Sequence, residues 1–222
     1  DDSSWQFNAA GKLQTATQRS GWLTTYSYST ASTPVAIAPA AGLLISVANQ
    51  FGRSISFAYN ASSQLTSATT PDGQVTSYGY DGAAAAARLT AITHPGGATK
   101  TYLYENAAFP QLLTGITDEA GSRYETLAYD TQGRGISTEL AGGANKYTIS
   151  YPATSGASTA PTVVTDPLGT ARSYNYSTTK GKLAVTGANL PSGSGGSDAA
   201  SRVQDANGFV TQETDFLGVQ TM

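Results

Sequence analysis

Residues Thr69 to Asp81 read TTPDGQVTSYGYD, a turn signal whose glycine is followed seven residues later by a tyrosine. Nearly the same phrase returns as NQFGRSISFAYN (49–60), THPGGATKTYLYE (93–105) and TDPLGTARSYNYS (165–177). The four-residue turn ends at Gly21, Gly52, Gly73, Gly97, Gly121, Gly169 and Gly218. Asp, Asn or Thr at its first position can cap the turn with its side chain, and Pro at the second presets φ near about −65°. Glycine at the fourth accepts the left-handed conformation of a type I turn with a G1 bulge, which is hairpin chemistry.

The tyrosine falls seven residues after the glycine at Tyr28, Tyr59, Tyr80, Tyr104 and Tyr176, and eight after at Tyr129 (from Gly121) and Tyr151 (from Gly143). A second aromatic often stands two residues earlier (Tyr26, Phe57, Tyr78, Tyr102, Tyr174), a spacing that places both rings on one face of a strand. Just past the tyrosine a second turn follows, clearest at Asn8–Gly11, Asp130–Gly133 and Asp205–Gly208. Each unit is therefore strand, turn, strand, turn. The tyrosines lie 31, 21, 24, 25, 22 and 25 residues apart, which fits about six to seven units in a single array over 1–222, with a Gly/Ser-rich loop at 190–198. One such hairpin cannot bury its aromatic face alone, so units must stack on their neighbours.

Composition agrees with β structure: charged residues are 12%, glycines number 24, and 13 tyrosines outnumber the 6 phenylalanines and 2 tryptophans together. A buried aromatic hides about 150 to 250 Å². In a chain poor in Leu and Ile this favours a buried aromatic ladder over an exposed stacking platform. Net charge is −3 with Lys and Arg scattered singly, which disfavours nucleic-acid binding. The apolar stretch Pro34–Ala48 holds two prolines and is too short to span a bilayer. It reads as an insertion leading into a buried strand. In DGAAAAARL (81–89) helix propensity is high, and it reads as an expanded turn.

The stretches FAYNASSQLTSATTPDGQVTSYGYD (57–81) and AYDTQGRGISTEL (128–140) resemble the YD repeat of the RHS family, Y-D-x-x-G-R-L-x-x-x-x-D-P-x-G-x-x-x-x-Y-x-Y-D. Individual units depart from the pattern: Asp follows the tyrosine only at Tyr80 and Tyr129, and Gln204 stands where a tyrosine is expected. The resemblance implies an all-β fold of tandem hairpins in a curved, spiralling antiparallel sheet, a section of a shell. It implies containment or presentation of a toxin domain lying C-terminal in the same protein, with neighbouring repeats as the other partner. Secretion or display at a bacterial surface follows from the same likeness. The alternative is a cell-surface repeat module that binds carbohydrate or protein in adhesion. The chain reads as a piece of a longer protein.

Chemistry has few candidates. DPLGT (166–170) is similar to the family's DPxGL processing signature, but Thr170 replaces Leu and the same turn recurs elsewhere, so an ordinary hairpin turn is expected. His94, the single histidine, opens a Pro-Gly-Gly turn and is expected to cap it rather than act as a base. Asp118 and Glu119 share an exposed turn and read as solvated. With 0 cysteines and 1 histidine, neither a thiol nucleophile nor a transition-metal site is expected. No phosphate-binding loop motif occurs, no cofactor is called for, and the chain is expected not to be an enzyme.

Overall fold

A computed structural model describes residues 2–83, 87–152, 160–191 and 199–222. The chain is all-β, its one helical element a 3₁₀ turn at Ala141–Gly143 among the described residues. It divides into two compact units, Asp1–Arg123 and Tyr124–Met222. The first holds β1 (Ser4–Phe7), β2 (Leu13–Thr17), β3 (Leu23–Tyr28), β4 (Leu44–Asn49), β5 (Ser54–Tyr59), β6 (Leu65–Thr69), β7 (Val75–Tyr80), β8 (Leu89–Thr93), β9 (Thr99–Leu103) and β10 (Gly115–Thr117). Each pairs antiparallel with the next. The second follows with β11 (Arg123–Tyr129), β12 (Gly135–Leu140), β13 (Ala144–Ser150), β14 (Thr162–Thr165), β15 (Ala171–Thr179), β16 (Lys182–Ala188), β17 (Ser201–Gln204), β18 (Val210–Thr214) and β19 (Gln220–Thr221). These too pair antiparallel in chain order.

The glycine turns share one hydrogen-bond pair. At Thr70–Gly73 the Gly73 N–H donates to the Thr70 carbonyl and the Thr70 N–H to the Gln74 carbonyl, both at 2.9 Å. Gly73 sits at φ +83°, where a Cβ would be strained. The first residue's side chain completes the cap: Asp118 Oδ1 accepts from Ala120 N (3.0 Å) and Ser122 N (2.8 Å), and Asp215 Oδ1 from Leu217 N and Val219 N (2.8 Å each). The second turns at Asn8–Gly11, Asp130–Gly133 and Asp205–Gly208 repeat the device, and Asn60–Ser63 does so with Ser63 rather than glycine at φ +62°, while β15 and β16 are joined at Lys180 and Gly181.

In seven of the hairpins the register slips by one where the tyrosine position meets the return strand, whereas β9–β10 and β13–β14 pair without a slip. Tyr59 faces Leu65 while Ala58 faces Ser67, leaving Thr66 in excess. The same bulge leaves Gln14, Ile45, Thr90, Ile136, Thr186 and Thr211 unpaired in their hairpins. Thr66 Oγ1 donates to the Ala58 carbonyl at 3.1 Å, so the bulge is itself hydrogen-bonded. Such bulges bend a strand and re-aim its side chains.

Burial is shallow. Among the described residues the buried apolar side chains are Ala38, Ala188 and Ala199. The strand after the 34–48 insertion, β4, is half-buried rather than buried, because a sheet one layer thick has no second layer to cover it. The insertion is held by Ser29, 4% exposed, whose Oγ donates to the Ala40 carbonyl (2.7 Å) and accepts from Leu43 N (2.8 Å). The core of the 81–89 turn and most of the 190–198 loop lie outside the described residues.

Candidate functional site

The repeated tyrosines form the most regular side-chain constellation in the chain. All but Tyr176 stand at or just past the end of their strands, and in five of them the hydroxyl reaches back to a neighbouring return strand. Tyr28 donates to the Leu13 carbonyl (2.9 Å), Tyr59 to Leu44 (2.7 Å), Tyr80 to Leu65 (2.9 Å) and Tyr104 to Leu89 (3.1 Å), each spanning 15 residues. Tyr151 donates to the Gly135 carbonyl at 2.9 Å, across 16 residues. In the first unit the acceptor is the residue that faces the preceding tyrosine: Leu44 faces Tyr28, Leu65 faces Tyr59, and Leu89 faces Tyr80. The tyrosines thereby join successive hairpins in a chain of anchors. They are half-buried, not the fully buried ladder that composition favours, and burial raises the hydroxyl pKa of Tyr59, Tyr80 and Tyr104. Tyr176 is 39% exposed.

Beside three of these anchors a cation lies over the ring: Lys12 Nζ 5.2 Å from the Tyr28 centroid, Arg88 4.7 Å from Tyr104, and Arg134 4.4 Å from Tyr151. Each cation precedes the carbonyl that takes the hydroxyl. Arg88 also pairs with Asp81, and Arg134 Nε with Asp130 Oδ2 at 2.7 Å. This gives the Y-D-x-x-G-R signature a physical content. The aspartate folds the turn through one oxygen and holds the arginine through the other, and the arginine covers the next tyrosine. Composition did not show this. The signal that could have is the constant 15-residue step from Leu to Tyr, steadier than the step from tyrosine to tyrosine.

The remaining candidates are ordinary parts of the hairpins. Asp166 Oδ1 accepts from Leu168 N (3.0 Å) and Thr170 N (2.9 Å) while Oδ2 takes Arg172 Nη1 (2.9 Å). The Arg172 hydrogen bond, then that of Thr170, holds its carboxyl below the usual range. Both oxygens are thus committed to the turn. His94 does not cap its turn by side chain as expected: its Nε2 lies 3.4 Å from Glu119 Oε1, which Lys100 Nζ also approaches at 3.4 Å. An imidazole is longer than an Asx side chain and reaches past its own turn to the next. Glu119 is accordingly paired rather than simply solvated. Among the described residues no group of three His, Asp or Glu gathers as metal ligands, and no helix is long and apolar enough to cross a membrane. A shallow groove of about 390 Å³ is lined by Trp5, Leu13, Tyr26, Thr24 and Arg19.

Residues 39–75 and 59–99 match the RHS repeat family. No curated protein sequence matches the chain. The backbone is similar to the crystal structure of TcdB2-TccC3-Cdc42, with TM-score 0.55 and 16% identity over 99% of this chain and 12% of that one. It is similar also to TcdB2-TccC3 without its hypervariable C-terminal region, with TM-score 0.52 and 16% identity over 96% of this chain and 12% of that one. At these identities the likeness is one of fold, and the chain spans about an eighth of the length of either.

Proposed function

We propose that this chain, which carries RHS repeats, is wall material of a shell that encloses or presents a C-terminal toxin domain of the same protein and performs no catalysis itself. The observation that carries the reading is the anchor series. At Tyr28, Tyr59, Tyr80, Tyr104 and Tyr151 a hairpin is tied to the one beside it by a tyrosine hydroxyl, a device that serves extension of a strip and assembles no reacting groups. The similarity in fold to TcdB2-TccC3 supports it, and an exported location goes with it. The structural role is what the repeats support directly; enclosure is the further step. The test is protease treatment of the full-length protein before and after mild denaturation. The expected result is a C-terminal domain resistant in the native protein and digested once the repeats are loosened. Digestion at the same rate in both states would end the enclosure reading. Specific glycan binding by the isolated segment would then favour adhesion, for which the exposed Trp5 indole in its groove is the supporting feature.

A further inference from the structure

We infer that the second unit contains a built-in parting line between β16 and β17, along which the β17–β19 hairpins separate as an intact piece. Three independent observations place it there. First, β16 and β17 pair at a single position, Gly187 with Ser201, supplemented by one bond from Ala188 N to the Ala200 carbonyl at 3.1 Å. On either side the sheet is far better joined: β15 pairs with β16 at six positions and β17 with β18 at four. Second, the tyrosine that would anchor β17 to its neighbour is Gln204, which faces Val210 as Tyr59 faces Leu65. Its Oε1 accepts from Ser177 Oγ on β15 (3.1 Å), a side-chain hydrogen bond that itself crosses the joint but stands in place of the hydroxyl-to-carbonyl clamp of the other hairpins. Third, the contact is closed by small residues. Ala188 and Ala199 are buried, and a Cβ on Gly187 would stand 2.8 Å from the Ala200 carbonyl oxygen. Close approach with little interdigitation makes a joint that fits yet resists separation weakly.

Opening the joint exposes a few alanines and frees one ladder pair, the Ala188–Ala200 bond and the Ser177–Gln204 bond, while β17–β18 keep their own four pairs. Local opening of this kind follows cooperative units of the structure. The inference is independent of whether the repeats enclose anything.

Amide hydrogen exchange on the full chain, read residue by residue, tests it. The Ala188 amide is expected to exchange at least about tenfold faster than hydrogen-bonded amides of β14–β16 and of β17–β18, giving two protected blocks flanking an unprotected line. Gly187→Ala should speed Ala188 exchange further and leave the β17–β18 amides unchanged. Gln204→Tyr, which restores the anchor and does not crowd the joint, should slow it several-fold. Exchange of Ala188 at the β14–β16 rate in the unaltered chain overturns the inference, and so does a Gln204→Tyr variant that leaves the Ala188 rate where it was.

Discussion

At the scale of single residues, a phenol hydroxyl is worth most where it meets an otherwise unmet carbonyl. Tyr80 donates to Leu65 from a half-buried position, so Tyr80→Phe removes one hydrogen bond and leaves an acceptor short. The expected cost is about 1 kcal/mol in urea melts. Tyr176→Phe serves as the internal comparison and should be close to neutral, since its ring is 39% exposed. Ser63 offers the opposite experiment. It holds φ +62°, a region that carries a steric charge of about 1–2 kcal/mol for a residue with a Cβ. Ser63→Gly should therefore stabilise the chain by a fraction of that, offset by the larger chain entropy of glycine. A midpoint that falls on this change would contradict the assigned conformation.

At the scale of the hairpin, the turn sets the register and the bulge adjusts it. Gly73→Val places a β-branched residue at φ +83° and should cost at least about 1 kcal/mol, measured by denaturant melts. The hairpins were legible in the sequence because their signals are local: Asp or Thr, then Gly three positions on, then an aromatic at a fixed distance. The anchors were not, because Tyr59 and Leu44 stand at the far ends of the adjacent strands β5 and β4, and a 15-residue separation between unlike residues leaves no periodic trace in composition. His94 misled for a related reason. Its place in the turn matches Asp118 and Asp166, but the length of its side chain decides what it touches, and that partner comes from the following turn. The bulges were not legible either: six of the seven positions are Thr or Ile, but β-branched residues fill the paired strand positions as well, so residue type does not mark the bulge.

For the molecule as a whole, the buried apolar side chains among the described residues are three alanines, Ala38, Ala188 and Ala199. Stability therefore leans on turn caps, anchors and ion pairs more than on a core. Several carboxylates are held below their ordinary range: Asp81 by the Arg88 N–H and then its guanidinium, Glu105 by Arg123 and then Thr114, Asp166 by Arg172 and then Thr170. A lowered folded-state value means that the stabilisation is present above the unfolded value of about 4 and is lost as pH falls through the lowered one. Thermal melts should hold steady from about pH 7 to 5 and decline below about pH 4. A melting temperature that rises on acidification would show that these pairs do not act in folding. The anchors have a mechanical consequence as well. Because the anchors at Tyr28, Tyr59, Tyr80, Tyr104 and Tyr151 each tie a hairpin to a near neighbour, tension applied at the two termini meets a series of separate latches. Stretching one molecule in an optical trap should give a sawtooth, each tooth releasing one repeat of 21 to 31 residues. That length corresponds to roughly 7 to 11 nm of extended chain.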